Sequence, residues 1–309
     1  MKPAHLSDGA GPLLLPASGL SKAAALARLV KLPHSLFALP FAAAAVALVL
    51  PAASRERLPV RLALVALAVV AARTAAMTMN RIADRAIDAR NPRTRGRGLV
   101  TGEVSAPAAW GLLAGSAAVF TAAALGLSPL CGALALPVLA VLLGYSFAKR
   151  FTWACHLWLG VAQALAPPGV SLALTGGVQL PAALLGVGVG AWIGGFDVFY
   201  AMQDLDFDRG AGVRSIPVRF GVRGALAWAR GMHVMAVASV AAAGALGGRG
   251  PGWFAGAAIL AATLAAEHLY VAPGGSLRPE RINVAFFNYN AFASIAFAVC
   301  ALADVFLGS

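Results

Sequence analysis

Acidic side chains are scarce in this sequence, and half of them lie in or beside two short segments. The 309-residue chain contains twelve Asp and Glu residues. In the first segment, 80–88, Asn80, Asp84 and Asp88 recur at every fourth position, so on a helix they share one face. The second segment, 200–208, repeats this spacing 120 positions later. The six aspartates are Asp84, Asp88, Asp197, Asp204, Asp206 and Asp208.

Oxygen ligands at this spacing, at the end of a helix, are suited to a hard cation such as Mg²⁺. This ion binds one or two carboxylates, keeps several waters and takes its remaining ligands from substrate phosphates. Two such helices facing each other would hold Mg²⁺ ions bridged by a diphosphate. Helix capping or surface ion pairing would explain one segment alone, but the repeated spacing favours a metal site. Its predicted ligands are Asn80, Asp84, Asp88, Asp204 and Asp208.

Basic and phenolic side chains near these segments are suited to surround a diphosphate. Tyr145 and Lys149 form an i, i+4 pair at one end of a predicted helix, and Arg93, Arg97 and Arg214 follow the acidic segments. Guanidinium and ammonium groups bind phosphate through charge-assisted hydrogen bonds. The alternative for each of these residues is an ordinary positive charge at a membrane surface, and the two interpretations stay open.

Two further charged residues are predicted to act within the membrane. Arg73 lies seven residues before Asn80, two helical turns deeper on the same stripe of the helix. An arginine at the centre of a bilayer costs about 2.5–3.5 kcal/mol or more, so Arg73 indicates a functional site. The alternative is that its side chain extends to the membrane interface. Asp197 lies on the membrane side of the second acidic segment and is a candidate catalytic base.

The composition places these residues in an integral membrane protein. The chain is 60% hydrophobic and only 12% charged, with a mean hydropathy of +0.79, whereas soluble domains are about 25% charged. The net charge of +12 does not indicate a nucleic-acid partner, because the basic residues neither form a tail nor alternate with exposed aromatic residues. The three cysteines lack metal-ligand spacing and are predicted to be packing residues.

The apolar segments predict an all-α, polytopic fold with nine transmembrane helices. Each segment is close to the roughly 20 residues that a bilayer requires. We expect residues 1–20 to form a loose cytoplasmic tail and residues 21–309 a single intramembrane domain, with a kink at Pro167-Pro168-Gly169. The predicted segments are 32–50, 59–80, 106–127, 129–147, 153–175, 180–200, 225–246, 253–271 and 285–307.

The distribution of basic residues predicts the orientation of these helices. Of the 24 Lys and Arg residues, 19 fall on the side of the N-terminus and the two acidic segments, and four fall on the opposite side. Because Lys and Arg are enriched in cytoplasmic loops, we expect the N-terminus and both acidic segments to be cytoplasmic. The protein is therefore predicted to be a multi-pass protein of the inner (plasma) membrane, in contact with membrane lipid.

The two acidic segments also carry a resemblance to a known family. Asn80-x-x-x-Asp84-x-x-x-Asp88, followed by Asn91-Pro92-Arg93-Thr94, and Tyr200-Ala201-x-x-Asp204-x-x-x-Asp208 resemble the UbiA superfamily of intramembrane aromatic prenyltransferases. Within it, the chain resembles the 4-hydroxybenzoate polyprenyltransferase group. The segments 34–41 and 215–221 are similar to the corresponding segments of members proposed to act in the futalosine route to menaquinone.

The resemblance implies nine helices around a central cavity, with a cytoplasmic cap over a Mg²⁺-diphosphate site. It assigns the five predicted oxygen ligands to that site, and Arg73, Lys149 and Arg97 to the diphosphate or its surroundings. Lys31 stands where the family commonly has an arginine, so it is added to the predicted substrate-binding residues. The implied substrates are a polyprenyl diphosphate and an aromatic acid.

The hypothesis from the sequence is therefore Mg²⁺-dependent transfer of a polyprenyl group, through an allyl cation, to a phenolic acid of the 4-hydroxybenzoate type in ubiquinone biosynthesis. Prenylation of a dihydroxynaphthoate for menaquinone is an alternative within the same chemistry. A secondary transporter is an alternative outside it, although its acidic sites would be expected near the membrane midplane. A phosphatidyltransferase also pairs Asp with Mg²⁺, but its Asp-Gly-x-x-Ala-Arg signature is absent.

Overall fold

The computed structural model describes residues 19–30 and 38–307. Within these residues the chain is helical and contains no strand, which confirms the predicted all-α class. Residues 1–18 of the predicted tail, Lys31 and residues 32–37 of the first predicted span lie outside the described residues. The helices are α1 Gly19–Leu29, α2 Ala38–Val49, α3 Leu58–Arg90, α4 Gly98–Thr101, α5 Ala106–Leu127, α6 Pro129–Ala148, α7 Cys155–Ala164, α8 Ala166–Thr175, α9 Leu180–Ala201, α10 Leu205–Ala211, α11 Ile216–Leu246, α12 Pro251–Val271, α13 Pro279–Val284 and α14 Asn290–Leu307.

In this part of the chain, eight helical segments are long and apolar enough to cross a membrane: α3, α5, α6, α7–α8, α9–α10, α11, α12 and α13–α14. A ninth apolar helix, Leu39–Ala52, is shorter. Together they correspond to the nine predicted segments. A helix break lies two residues before the predicted kink, since α7 ends at Ala164 and α8 begins at Ala166. Pro167 lies in the first turn of α8, where its missing N–H leaves no helical hydrogen bond unmade.

Helix α9 is the most enclosed of the spanning helices and packs mainly against α11 and α7. Small residues make this close packing possible. A Cβ on Gly160 of α7 would lie 2.8 Å from the carbonyl oxygen of Gly190 on α9, inside van der Waals contact. Glycine therefore lets the two backbones approach, as in other membrane helix pairs. This approach holds α7 and α9 together on one side of the central cavity.

The two acidic segments lie on different local structures. Helix α3 has 33 residues and continues without a break to Arg90, so Asn80, Asp84 and Asp88 are on one helix, as predicted. The second segment is broken by a 3₁₀ turn at Met202–Asp204 before α10 begins. The backbone of Asp204 (φ −104°, ψ 11°) leaves the helical region. Its carboxylate is bound there by side chains from the loop that follows α3.

A small cap covers the acidic end of the bundle. It consists of α1, α4 and the loop 91–97 that joins α3 to α4. Leu29 of α1 packs with Leu99 of α4 and with Val104 and Ala109 in a separate apolar cluster. The carbonyl of Leu29 also accepts a hydrogen bond of 3.4 Å from Nε of the buried Arg81. These contacts fix the cap above the end of α3 that carries the aspartates.

Candidate functional site

A cavity of about 820 Å³ runs from the acidic helix ends into the apolar interior. Its walls come mainly from α3, α6, α7, α8 and α9 and from the π-helical turn Ala285–Tyr289. Eleven of the residues singled out in the sequence line it together: Arg73, Asn80, Asp84, Asp88, Arg93, Arg97, Tyr145, Lys149, Asp197, Asp204 and Asp208. Most of the charged residues are at one end, and the deeper wall, which includes Arg73, is mostly apolar.

Asp84 is the most deeply buried carboxylate of the site, with 2% of its surface exposed. Its Oδ2 accepts hydrogen bonds from Nζ of Lys149 at 2.5 Å and from Nδ2 of Asn80 at 3.0 Å. Its Oδ1 has no hydrogen-bond partner among the described residues, although Nη2 of Arg150 lies 3.6 Å away. One oxygen of a buried carboxylate is therefore left without a hydrogen bond, which is unusual for a buried polar atom.

Asp88, one turn further along α3, is bound by the loop that follows the helix. Nη1 of Arg97 lies 2.6 Å from Oδ2 of Asp88, and both side chains are largely buried. The hydroxyl of Thr94 donates to the backbone carbonyl of Asp88 at 3.2 Å. The loop thus folds back over the helix end and brings its guanidinium groups to the acidic face.

The same loop joins the first acidic segment to the second. Nδ2 of Asn91 donates to Oδ1 of Asp204 at 3.0 Å, and Nε of Arg93 donates to the same oxygen at 2.8 Å. Arg93 also donates to the hydroxyl of Tyr200 at 2.7 Å. Burial alone would lower the pKa of Arg93, but its hydrogen bonds to Asp204 and Tyr200 raise that pKa above the ordinary arginine value. Arg93 is therefore charged at every physiological pH.

The donor set fits Mg²⁺, although the carboxylates are not gathered around one point. Within 19–30 and 38–307, no three His, Cys, Asp or Glu side chains form a group that could hold a metal ion. Three of the carboxylates are instead bound by basic side chains, as described above. All five predicted oxygen ligands nevertheless line one cavity, and Oδ1 of Asp84 is buried without a hydrogen bond. Carboxylate and amide oxygens that share a cavity with basic side chains suit a Mg²⁺-diphosphate complex.

Two of the predicted diphosphate-binding residues lie apart from this cluster. Arg73 lines the cavity two turns deeper in α3, and its Nε is buried without a hydrogen-bond partner among the described residues. Arg214 does not line the cavity; its Nη1 donates to the carbonyl of Phe151 at 2.7 Å. The guanidinium of Arg214 therefore ties together two loops, and the structure does not bring it to the site.

Sequence reasoning missed one pair, His156 and Asp197. Nδ1 of His156 lies 2.7 Å from Oδ2 of Asp197, and both residues line the cavity. They are 41 residues apart and on different helices, so no local spacing relates them. His156 also lacks metal-ligand spacing in the sequence. The only available signal was a histidine close to the start of an apolar helix, which is weak.

Comparison with known proteins identifies a family that shares this sequence and fold. The model of the UbiA prenyltransferase family matches residues 38–292. The chain is 36% identical over 203 residues to a 4-hydroxybenzoate octaprenyltransferase of Aromatoleum aromaticum, covering 66% of this chain and 68% of that protein. An apo structure of a UbiA homolog from Aeropyrum pernix K1 superposes with a TM-score of 0.78 at 34% identity, over 88% of this chain and 98% of the other.

A more distant neighbour shares the fold. It is a UbiA homolog from Archaeoglobus fulgidus bound to GPP and Mg²⁺, with a TM-score of 0.63 at 20% identity. The match covers 90% of this chain and 99% of that one.

Proposed function

This chain belongs to the UbiA prenyltransferase family, and we propose that it transfers a polyprenyl group from a polyprenyl diphosphate to the ring of 4-hydroxybenzoate or a closely related phenolic acid. The observation that carries the proposal is the pairing of the two acidic segments across one cavity, through Asn91, Arg93 and Asp204. The similarity to a 4-hydroxybenzoate octaprenyltransferase supports the acceptor class. Family membership removes the support for a secondary transporter.

The proposed metal site consists of Asn80, Asp84, Asp88, Asp204 and Asp208. Its support is the shared cavity, the oxygen donors and a fold neighbour that is bound to GPP and Mg²⁺. Bound Mg²⁺ would supply positive charge to neutralise the diphosphate as it leaves. The orientation from the positive-inside rule gives this site a cytoplasmic position in the inner membrane.

Three basic residues are proposed to bind the diphosphate: Lys149, Arg93 and Arg97. In the structure each is bound to a carboxylate of the site. A bound metal ion would give the carboxylates another positive partner, and these three basic groups would then be able to bind phosphate oxygens. Tyr145 lies close enough to Arg73, Arg81, Asp84 and Asp197 to interact with them electrostatically. Its phenol is proposed to line the path between the diphosphate and the acceptor.

The depth of Arg73 favours a different partner from the one expected from the sequence. Seven residues of α3 separate it from Asn80, and at 1.5 Å per residue this is about 10 Å along the helix. Asp84 and Asp88 are further away still. We therefore assign Arg73 to the carboxylate of the aromatic acid rather than to the diphosphate. This places the acceptor below the diphosphate in the cavity.

The cavity wall is suited to a carbocation. Phe196, Tyr200 and Phe286 form a chain of ring contacts along it, with centroid distances of 5.0 Å between the two phenylalanines and 4.4 Å between Tyr200 and Phe286. Aromatic faces attract a cation, and the apolar surroundings exclude water that would capture it. When the allylic C–O bond breaks, its electron pair leaves with the diphosphate. The ring carbon ortho to the hydroxyl then attacks the cation, and Asp197 is proposed to take the ring proton.

One experiment tests the proposed function. The purified protein is incubated in detergent with Mg²⁺, a labelled polyprenyl diphosphate and a panel of aromatic acids that includes 4-hydroxybenzoate and a dihydroxynaphthoate. We expect a labelled lipid in which the isoprenoid is bonded to the ring of 4-hydroxybenzoate. If the dihydroxynaphthoate is the only acid that is prenylated, the acceptor is the one of the menaquinone alternative. The absence of any prenylated acid would contradict the proposal.

A further inference from the structure

His156 binds one of the two carboxylate oxygens of Asp197, a residue of the cavity wall. The residue is near the start of α7, and only 4% of its side chain is exposed, whereas 30% of the Asp197 side chain is exposed. Nδ1 of His156 lies 2.7 Å from Oδ2 of Asp197. Both residues line the cavity, on the membrane side of the acidic cluster. One oxygen of the carboxylate is therefore bound by His156, and the other accepts no hydrogen bond from the described residues, so it is available to a ligand.

We propose that His156 is a positioning residue for Asp197, holding Oδ2 so that Oδ1 faces the acceptor ring and takes its proton. The proposal rests on the proposed function, since it concerns the last step of the same prenyl transfer. It goes beyond that function because it assigns a role to His156, which belongs to none of the motifs found in the sequence.

The direction of the hydrogen bond follows from the surroundings of the imidazole. An ionised carboxylate has no hydrogen to give, so the proton between the two groups belongs to Nδ1 of His156. Nε2 of His156 is buried and has no hydrogen-bond partner among the described residues. A neutral imidazole carries one N–H, and placing it on Nε2 would leave a buried donor unpaired. Nδ1 therefore carries the hydrogen that is donated to Asp197, whether the imidazole is neutral or protonated.

The same observation leaves a relay through the histidine without a protein partner among the described residues. A proton passed from Asp197 to His156 would have to leave from Nε2, and no acceptor faces that atom within the described residues. The observed contact of His156 is the one to Oδ2 of Asp197, so the role assigned to it is the orientation of this carboxylate. Two other ionisable residues interact electrostatically with His156: the adjacent Cys155 and the more distant Asp208. Tyr145 interacts in the same way with Asp197.

The step balances without any added reactant. The ring carbon ortho to the hydroxyl forms a C–C bond to the allyl cation, and the ring then carries the positive charge. The C–H bond at that carbon breaks, its electron pair restores the aromatic ring, and its proton goes to Oδ1 of Asp197. The diphosphate has already taken the electron pair of the allylic C–O bond. After the product leaves, Asp197 returns the proton to water.

The test uses the full-length protein and three variants of His156. His156→Asn retains a donor close to the position of Nδ1, His156→Gln moves the donor toward the position of Nε2, and His156→Leu removes it. Each is assayed with 4-hydroxybenzoate and with the same acid deuterated at the positions ortho to the hydroxyl. The readouts are kcat, KM for the polyprenyl diphosphate, and the deuterium isotope effect on kcat. Thermal unfolding of each variant is recorded alongside.

We expect His156→Leu to lower kcat by about 10- to 100-fold, the range of a weakened general base, with little change in KM for the diphosphate. The isotope effect should rise from near unity to a clear primary effect, because removal of the ring proton becomes rate-limiting. His156→Asn should recover most of the rate and His156→Gln should not. If the His156→Leu protein does not fold, the proposal is tested by comparing the His156→Asn and His156→Gln variants.

A residue that only stabilises the fold would change unfolding temperature and leave the isotope effect unchanged. That result, or equal impairment of His156→Asn and His156→Leu, would overturn the proposal while the proposed function stands. In the variant with both His156→Leu and Asp197→Asn, the loss should not exceed that of Asp197→Asn alone, since the two residues act as one unit. If the wild-type protein forms no prenylated acid, the proposed function fails first and this inference fails with it.

Discussion

Nε of Arg93 lies 2.8 Å from Oδ1 of Asp204, although 111 residues separate the two in sequence. This contact joins the loop after α3 to the turn after α9, so the two acidic helix ends face each other across one cavity. Because Arg93 is charged at every physiological pH, the carboxylate of Asp204 is neutralised in the structure. In the proposed function, Arg93 exchanges this internal ion pair for the diphosphate of the substrate.

The first prediction concerns the acidic residues themselves. Asp84→Ala removes a buried oxygen ligand and should lower prenyl transfer by at least about 100-fold, comparable to losing an electrostatic stabiliser of the transition state. Asp206→Ala is the matched control, because Asp206 belongs to the second acidic segment but its side chain is fully exposed. It should retain near-normal turnover. Initial rates at saturating Mg²⁺ measure both, and an active Asp84→Ala protein would refute the metal-site assignment.

The second prediction concerns Arg93. Arg93→Ala should raise KM for the polyprenyl diphosphate by about tenfold, the effect of losing a charge-assisted hydrogen bond, while KM for the aromatic acid changes little. Arg95→Ala is the control, since Arg95 is exposed on the same loop and does not line the cavity. Steady-state kinetics with each substrate varied in turn give both constants. A larger effect on the acid than on the diphosphate would contradict the assignment.

The third prediction distinguishes two roles for Arg73. If it binds the carboxylate of the acceptor, Arg73→Leu should raise KM for 4-hydroxybenzoate by about 10- to 100-fold and leave KM for the diphosphate unchanged. A phenol without the carboxylate should be used equally poorly by both proteins. Competition between the acid and the phenol measures this difference directly. An increase in KM for the diphosphate instead would restore the role expected from the sequence.

The fourth prediction concerns orientation. Cysteines are introduced at Arg95 and Arg55, both exposed, in a protein whose native cysteines have been replaced. A membrane-impermeant thiol reagent added to sealed inside-out vesicles should label the Arg95→Cys protein, and added to whole spheroplasts it should label the Arg55→Cys protein. The positive-inside rule is the physical basis. Labelling in the reverse pattern would place the site on the other side of the membrane.

Much of this fold could be predicted because its signals are local. A membrane span needs an apolar run of about 20 residues, and a shared helix face needs only four-residue spacing, so the spans and the face carrying Asp84 and Asp88 were accessible from sequence. The break at Met202–Asp204 was not accessible. The carboxylate of Asp204 is held there by Asn91 and Arg93 from a distant loop, and the contact gives no local signal.

Individual charged residues were harder to place than the segments that carry them. The sequence does not show whether a basic residue near a predicted anion site binds the anion or a backbone carbonyl. Arg214 is an example, because its guanidinium binds the carbonyl of Phe151. The pairing of His156 with Asp197 depends on the close approach of α7 and α9 at Gly160 and Gly190. Such a relationship exists only after the helices have packed.

The central claim, that the two acidic helix ends together bind a metal-diphosphate complex, is tested most directly by structure determination with Mn²⁺ and an unreactive thio-analogue of the polyprenyl diphosphate. Anomalous scattering locates the manganese. The account predicts metal bound by carboxylates from both 80–88 and 204–208, with the diphosphate between them and Arg93 turned from Asp204 toward the phosphates. Metal bound by one segment alone, or a diphosphate located outside this cavity, would contradict it.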